Sequence, residues 1–215
     1  MFNKIFPKIH AEGYKFLVIA GIITIIFYIF SNFLALIGLL LTVWVYYFFR
    51  DPERVIINDD NYLVSPADGE VIKVEEVNGP KELGLENKNF KKISIFMNVF
   101  DCHVNRIPCS GKIEEILYKP GKFLNASFDK ASEDNERNYY KIKDQHGNDI
   151  IVVQIAGLVA RRIVCESNKD QDLKQGDRIG MIRFGSRADV YYENYEPLVK
   201  IGQTAIAGET LLAKK

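Results

Sequence analysis

Apolar residues follow two unlike patterns along this chain. From 14 to 49 they form an almost unbroken run, interrupted only by Ser31 and Asn32. Beyond Arg50 they fall into short β-patterned stretches at 70–75, 92–97, 112–119, 139–144, 149–155, 179–184 and 189–192. Turn-forming clusters such as Asn78-Gly79-Pro80 and His146-Gly147-Asn148-Asp149 separate them. Short runs bounded by Gly, Pro and Asn predict strands, and many of them in succession predict a sandwich or a barrel. The expected fold is mainly β, preceded by a helical membrane segment.

The apolar run exceeds the ~20 residues that one membrane span needs, and each half is near the ~17-residue lower limit. It has no small-residue cleavage site of the kind that ends a signal peptide. Lys4, Lys8 and Lys15 lie at its start and Arg50 and Arg54 follow it. A transmembrane helical hairpin turning at Ser31-Asn32 puts all of these charges on one face of the bilayer, whereas a single tilted span divides them. The expectation is therefore a hairpin in the cell membrane with the remaining chain in the cytoplasm. Asp51-Pro52-Glu53-Arg54 ends the apolar pattern, since proline disfavours helix in the residue before it. The predicted organisation is a basic segment at 1–13, a membrane anchor at 14–49 and a catalytic domain at 50–215.

With 215 residues and 47% hydrophobic content, the chain has room for one packed domain and an appendage. The formal net charge of +0 offers no broad basic surface for nucleic acid. The three cysteines Cys102, Cys109 and Cys165 fit reduced thiols better than a disulfide framework. Cys102, His103 and Cys109 match none of the paired-ligand spacings of a zinc site, and no metal is expected.

The candidate chemistry lies at Gly185-Ser186. A serine hydroxyl can attack the carbonyl of its own preceding residue and turn the peptide bond into an ester; glycine there tolerates the unusual dihedrals involved. β-Elimination then frees a chain ending at Gly185 and leaves dehydroalanine at 186, which hydrolyses to a pyruvoyl group. Such a ketone supplies the electron sink that decarboxylation of an amino acid needs, through a Schiff base, with no external cofactor. The dipeptide alone is very weak evidence, since in most proteins such a pair is a turn or a bulge in a strand.

Three segments widen that reading. Ile179-Gly180-Met181-Ile182-Arg183-Phe184-Gly185-Ser186-Arg187-Ala188-Asp189-Val190, Val64-Ser65-Pro66-Ala67-Asp68-Gly69-Glu70-Val71 and Met97-Asn98-Val99-Phe100-Asp101-Cys102-His103-Val104-Asn105-Arg106 together resemble the short form of the phosphatidylserine decarboxylases. The likeness runs over most of the chain after Arg50. It implies a pyruvoyl-dependent enzyme that cleaves itself between Gly185 and Ser186. The large and small fragments stay together as a heterodimer, and phosphatidylserine in the membrane is converted to phosphatidylethanolamine. Whether the fragments assemble further into a homo-oligomer is left open.

The resemblance also assigns roles. His103 is the acid–base candidate, because His10 and His146 are expected to face solvent. Asp68 matches an aspartate used in self-cleavage, where it orients or polarises a base. The polar stretch 125–138 reads by composition as a solvated loop, but similar decarboxylases carry an Asn-Ala…Asn-Glu-Arg stretch beside the active centre. Asn135, Glu136 and Arg137 are thereby expected to position the head group, and Arg187 to contact its phosphate or carboxylate. Two departures stand out: Arg106 occupies the place of a second histidine found in longer members, and Phe-Gly-Ser-Arg replaces their Leu-Gly-Ser-Thr.

The end segments 67–74 and 199–212 look like the hammerhead halves of a biotinyl or lipoyl carrier, without a carrier's lysine tip. They point to a related barrel-sandwich scaffold. Two other functions stay open here: decarboxylation of an archaetidylserine-type lipid, and a non-catalytic, membrane-anchored hammerhead module that binds a partner.

Overall fold

The computed structural model describes residues 6–122, 134–157, 162–183 and 186–215. Lys4, Phe184, Gly185 and residues 125–133 of the expected loop lie outside the described residues. The chain divides into two compact units, Met1–Glu53 and Arg54–Lys215.

The first unit contains strand β1 (Lys8–Ile9), helices α1 (Gly13–Phe30) and α2 (Asn32–Phe48), and strand β2 (Arg50–Asp51). Ser31 breaks the helix with an extended backbone, and its side chain accepts the Phe33 N–H at 3.2 Å. The helices pack against each other where small residues allow it: a Cβ on Gly38 would lie 3.0 Å from the Thr24 backbone. Thr24 and Thr42 hydroxyls share a hydrogen bond of 2.9 Å between the helices. Strands β1 and β2 pair antiparallel, Lys8 opposite Asp51, so the outer ends of the two helices meet. Helix α1 is long and apolar enough to cross a membrane, and of its residues only Gly13 is buried; α2 is a shorter apolar helix. His10 departs from expectation. It is buried, its backbone N–H donates to Phe49 O at 2.8 Å and its Nδ1 accepts the Glu12 N–H at 3.3 Å.

The second unit holds β3 (Tyr62–Val64), β4 (Gly69–Asn78), β5 (Asn89–Met97), β6 (Val104–Arg106), β7 (Gly111–Lys119), β8 (Arg137–Asp144), β9 (Asp149–Ala156) and β10 (Arg162–Cys165). It continues through β11 (Asp172–Leu173), β12 (Arg178–Arg183), β13 (Ser186–Tyr192), β14 (Glu196–Pro197), β15 (Thr204–Ala205) and β16 (Leu211–Lys214). An eight-stranded sheet has the order β11-β7-β8-β9-β13-β5-β4-β15, and two three-stranded sheets have the orders β10-β12-β6 and β14-β16-β3. Arg137 and Asn138, read in sequence as the end of a polar loop, begin strand β8; cross-strand pairing with Ile155 and Gln154 overrides their composition.

One core joins all three sheets. The inner face of the large sheet contributes Val71, Ile93, Ile95, Val152 and Val190; the small sheets contribute Ile163, Ile179 and Ile182 on one side and Leu63, Leu212 and Ala213 on the other. Each such side chain, fully removed from water, stabilises the fold by roughly 1.5–3 kcal/mol. The outer face carries a second cluster of Phe90, Tyr139, Ile151, Val153 and Ile155, against which Leu83 and Leu85 pack. Strand β9 is therefore buried on both faces, which accounts for its run Ile150-Ile151-Val152-Val153 in place of a strict alternation.

Candidate active site

The strand order brings the sequence candidates to one end of the large sheet. Ser186 is the first residue of β13 and is fully buried. It sits opposite Met97, the last residue of β5, on one side and Ala156, the last residue of β9, on the other. Asn135, just before β8, is fully buried and donates Nδ2–H to Ala156 O at 2.7 Å, so it is bonded to the direct neighbour of Ser186. Glu136 accepts the Ile163 N–H at 3.1 Å through its carboxylate, and its backbone carbonyl accepts the Ala156 N–H.

His103 is fully buried, and its carbonyl accepts the Ile182 N–H at 3.2 Å, four residues upstream of Ser186. Its Nδ1 lies 3.0 Å from Asp101 O. A carbonyl only accepts, so in the neutral ring Nδ1 carries the proton and Nε2 is the basic atom.

Asp68 immediately precedes β4 at the same end. Gly69 has φ +147, and a Cβ there would be 2.1 Å from Phe96 O, so only glycine lets the chain turn this closely against β5. The turn delivers the Asp68 carboxylate to Arg54, whose Nη2 lies 2.8 and 2.7 Å from its two oxygens, and to the Ala207 N–H at 2.8 Å. Burial works to lower the Arg54 pKa, but the charge and hydrogen bonds of Asp68, together with Cys102 and Glu209, outweigh that and raise it. Arg54 is a partner that sequence reading misses, since there it counts only as a flanking membrane charge.

A polar chain that sequence reading also misses lies beside the serine. The Ser186 hydroxyl donates weakly to Met97 Sδ at 3.8 Å, and Asn105 Nδ2 reaches the same sulfur at 3.6 Å. Gln154 Nε2 donates to Asn105 Oδ1 at 2.9 Å, while Tyr140 O–H donates to Gln154 Oε1 at 3.1 Å and lies 2.8 Å from Ile179 O. The available signal is polar Gln154 in an apolar strand, because a buried amide persists only where its hydrogen bonds are met.

Arg187 and Arg137 turn the other way. Arg187 is fully buried on the outer face, donating Nε–H and Nη2–H to the two oxygens of Asp189 at 2.8 Å each. Arg137 lies in the same cross-strand row as Arg187, both opposite Ile155, and its Nη2 is 3.3 Å from Glu82 Oε1. These two arginines, expected at the head group, thus project from the face opposite to Ser186. Gly185 lies outside the described residues.

Strand ends thus gather the segments that carry Ser186, Asp68 and Asn135 at one end of the large sheet, and His103 is tied through its backbone to Ile182, upstream of the serine. This arrangement suits chemistry on the backbone at 186 that excludes water. The family model described as phosphatidylserine decarboxylase matches residues 41–213. A phosphatidylserine decarboxylase proenzyme of Pelagibacter ubique (strain HTCC1062) is 79% identical over 215 residues, covering 100% of both chains. A relative of the same name from Ruegeria pomeroyi is 56% identical over 205 residues, 95% of this chain and 94% of the relative. One from Cereibacter sphaeroides is 51% identical over 214 residues, 99% of this chain and 92% of the relative. With a family match over most of its length and a full-length relative at this identity, the chain belongs to the phosphatidylserine decarboxylase family.

Proposed function

We propose that this chain is a self-processing decarboxylase that converts phosphatidylserine to phosphatidylethanolamine and carbon dioxide. The observation that carries the reading is the position of Ser186: fully buried, first in a central strand, and flanked by Met97 and by Ala156, whose carbonyl is held by Asn135. It is supported by the names of relatives that match 100% and 95% of the chain.

In processing, Ser186 Oγ bonds to the carbonyl carbon of Gly185 and the Gly185–Ser186 C–N bond breaks. The nitrogen takes up the proton and remains as the amine of residue 186. Loss of the α-proton and of the Gly185 carboxylate leaves dehydroalanine; its hydrolysis releases ammonia and leaves a pyruvoyl group. The site fits that group: residue 186 is enclosed, its side chain touches the weak acceptor Met97 Sδ, and hydrogen bonds fix the neighbouring backbone. Held at residue 186, such a ketone would supply the electron sink for the pair left on the substrate's α-carbon as carbon dioxide departs.

The chain's own residues do the rest. Asp68, clamped by Arg54, holds the 68–69 turn against the end of β5 and acts in the cleavage step. His103 Nε2 handles protons, its ring oriented by Nδ1–H to Asp101 O. Asn135 keeps the Ala156 edge in register with Ser186. The apolar N-terminal unit keeps the enzyme at the cell membrane with its β unit in the cytoplasm, so that a lipid substrate is met in the bilayer where it resides.

A denaturing gel with mass measurement tests this. The wild-type chain should separate into residues 1–185 and 186–215, the smaller without a free amine, and form phosphatidylethanolamine; Ser186→Ala should remain one chain and form none. If Ser186→Ala still splits and still forms product, the reading fails.

A further inference from the structure

With Arg137 and Arg187 on the outer face, the substrate's phosphodiester needs another cationic partner. Strand register supplies one. In the β10–β12 pair, Arg162 stands directly opposite Arg183, and the next pair inward is Ile163 opposite Ile182. Both isoleucines are buried in the core, so both arginines project from the other face of this ribbon. Their Cα atoms are thus about 4.5–5.5 Å apart. Like charges directly opposite on adjacent strands are destabilising, and such a pair is stabilised when an anion lies between them. Arg162 is exposed and Arg183 half-buried, so the pair is reachable from solvent.

The pair lies beside the reacting residue. Arg183 precedes Ser186 by three residues, which limits their Cα separation to about 10 Å. Ile182, its neighbour, is bonded to the His103 carbonyl, and Ile163, beside Arg162, is bonded to Glu136. In a serine phospholipid the amine nitrogen and the phosphorus are four bonds apart, about 5 Å when extended. A guanidinium adds a reach of roughly 6 Å from its Cα, with a further hydrogen bond of about 2.8 Å to a phosphate oxygen. These lengths close when the amine is at residue 186 and the head group rounds the end of the ribbon, because the arginines leave its outer face while Ser186 faces the core. Arginine has five N–H donors, so a guanidinium already bonded within the protein can still present one to phosphate. Glu136, a carboxylate, is hydrogen-bonded to the Ile163 N–H, next to Arg162 in the chain.

We propose that Arg162 and Arg183 bind the phosphodiester of the substrate and fix its amine at residue 186. The proposal rests on the decarboxylase reading above. The test is steady-state kinetics of Arg162→Gln, Arg183→Gln and Arg183→Lys on short-chain phosphatidylserine in neutral detergent micelles, with turnover counted per cleaved molecule. The expected result is a KM raised about tenfold or more in either glutamine variant, less in Arg183→Lys, with kcat changed little. Inorganic phosphate should inhibit the wild type competitively and each glutamine variant less.

An unchanged KM in neutral micelles overturns the proposal. It does so even if binding to anionic vesicles weakens, because the arginines would then serve the bilayer surface instead of the substrate. Should Arg183→Gln not mature, Arg162→Gln decides: an unchanged KM there overturns the pair. Failure of the decarboxylase reading is distinguishable, since the wild type would then give neither two chains nor phosphatidylethanolamine.

Discussion

Ser186 and Arg187, adjacent in sequence, emerge on opposite faces of the eight-stranded sheet, the serine toward the inner core with Met97 and Ala156 and the arginine toward Asp189 on the outer side. Strand geometry requires this alternation. It separates the proposed reacting position from a buried ion pair by a single residue.

The Arg187–Asp189 pair should therefore govern stability more than chemistry. Arg187→Met leaves the Asp189 carboxylate buried without its guanidinium, at a cost of about 3–5 kcal/mol, whereas Arg187→Met with Asp189→Leu recovers most of it. Urea midpoints of the purified proteins measure the difference. A collapse of turnover per cleaved molecule with an unchanged midpoint would instead put Arg187 at the reaction.

Asp68 and His103 should separate the two steps. Asp68→Asn and Arg54→Ala are expected to accumulate uncleaved precursor alike, because each dissolves the same clamp; Arg54→Lys should mature in part. His103→Ala should lower turnover by about 10²–10⁴-fold even in the fraction that cleaves. Normal turnover per cleaved His103→Ala molecule would remove this histidine from decarboxylation, and normal maturation of Arg54→Ala would remove the clamp from cleavage.

Acid should unfold the β unit in part through Asp149. Burial works to raise its pKa, but hydrogen bonds from Lys143 and Lys88 and the charge of Lys141 outweigh it and hold it below the ordinary 3.8. A depressed folded-state value means that the folded chain binds fewer protons than the unfolded one. The resulting stability is complete above the ordinary value and is lost as pH falls through the folded-state value. Asp149→Asn should lower the thermal midpoint at pH 7 and flatten its decline below pH 4 (about the ordinary carboxylate range); an unaltered acid slope in a scan of melting temperature against pH contradicts the assignment.

Removing residues 1–53 should leave a unit that still cleaves itself, since every candidate group lies in Arg54–Lys215. Turnover on bilayer substrate should fall far more than turnover on detergent-dispersed substrate. Equal losses on both would make the apolar unit part of the catalytic fold.

Much of this is legible in sequence because it depends on local pattern. The runs at 70–75, 92–97, 112–119 and 149–155 lie within β4, β5, β7 and β9, and the apolar run divides at Ser31 as helix α1 ends. The short strands β6 and β10 escape a sequence reading, since three or four residues carry too little periodicity. The face taken by Arg187 follows from counting one residue from Ser186. The face of Arg137 does not, because it depends on the register of β8 against β9. Arg54 as the partner of Asp68, and His10 as a buried residue, come from tertiary packing that no local pattern encodes.

Strand β13 is paired along its whole length with β5 on one side and β9 on the other, and β16, later in the same segment, is paired with β3. A break before Ser186 would remove none of these ladders. Residues 186–215 would stay in place, with β13 between β5 and β9 in the middle of the large sheet, β15 at its edge against β4 and β16 against β3, and they could leave only if those sheets came apart. Continuity of the backbone at this point serves the act of folding and is dispensable once folding is done. The two pieces therefore need no affinity for each other beyond the stability of the fold itself, and a refolding experiment on separated pieces should recover far less protein than one on the uncut chain.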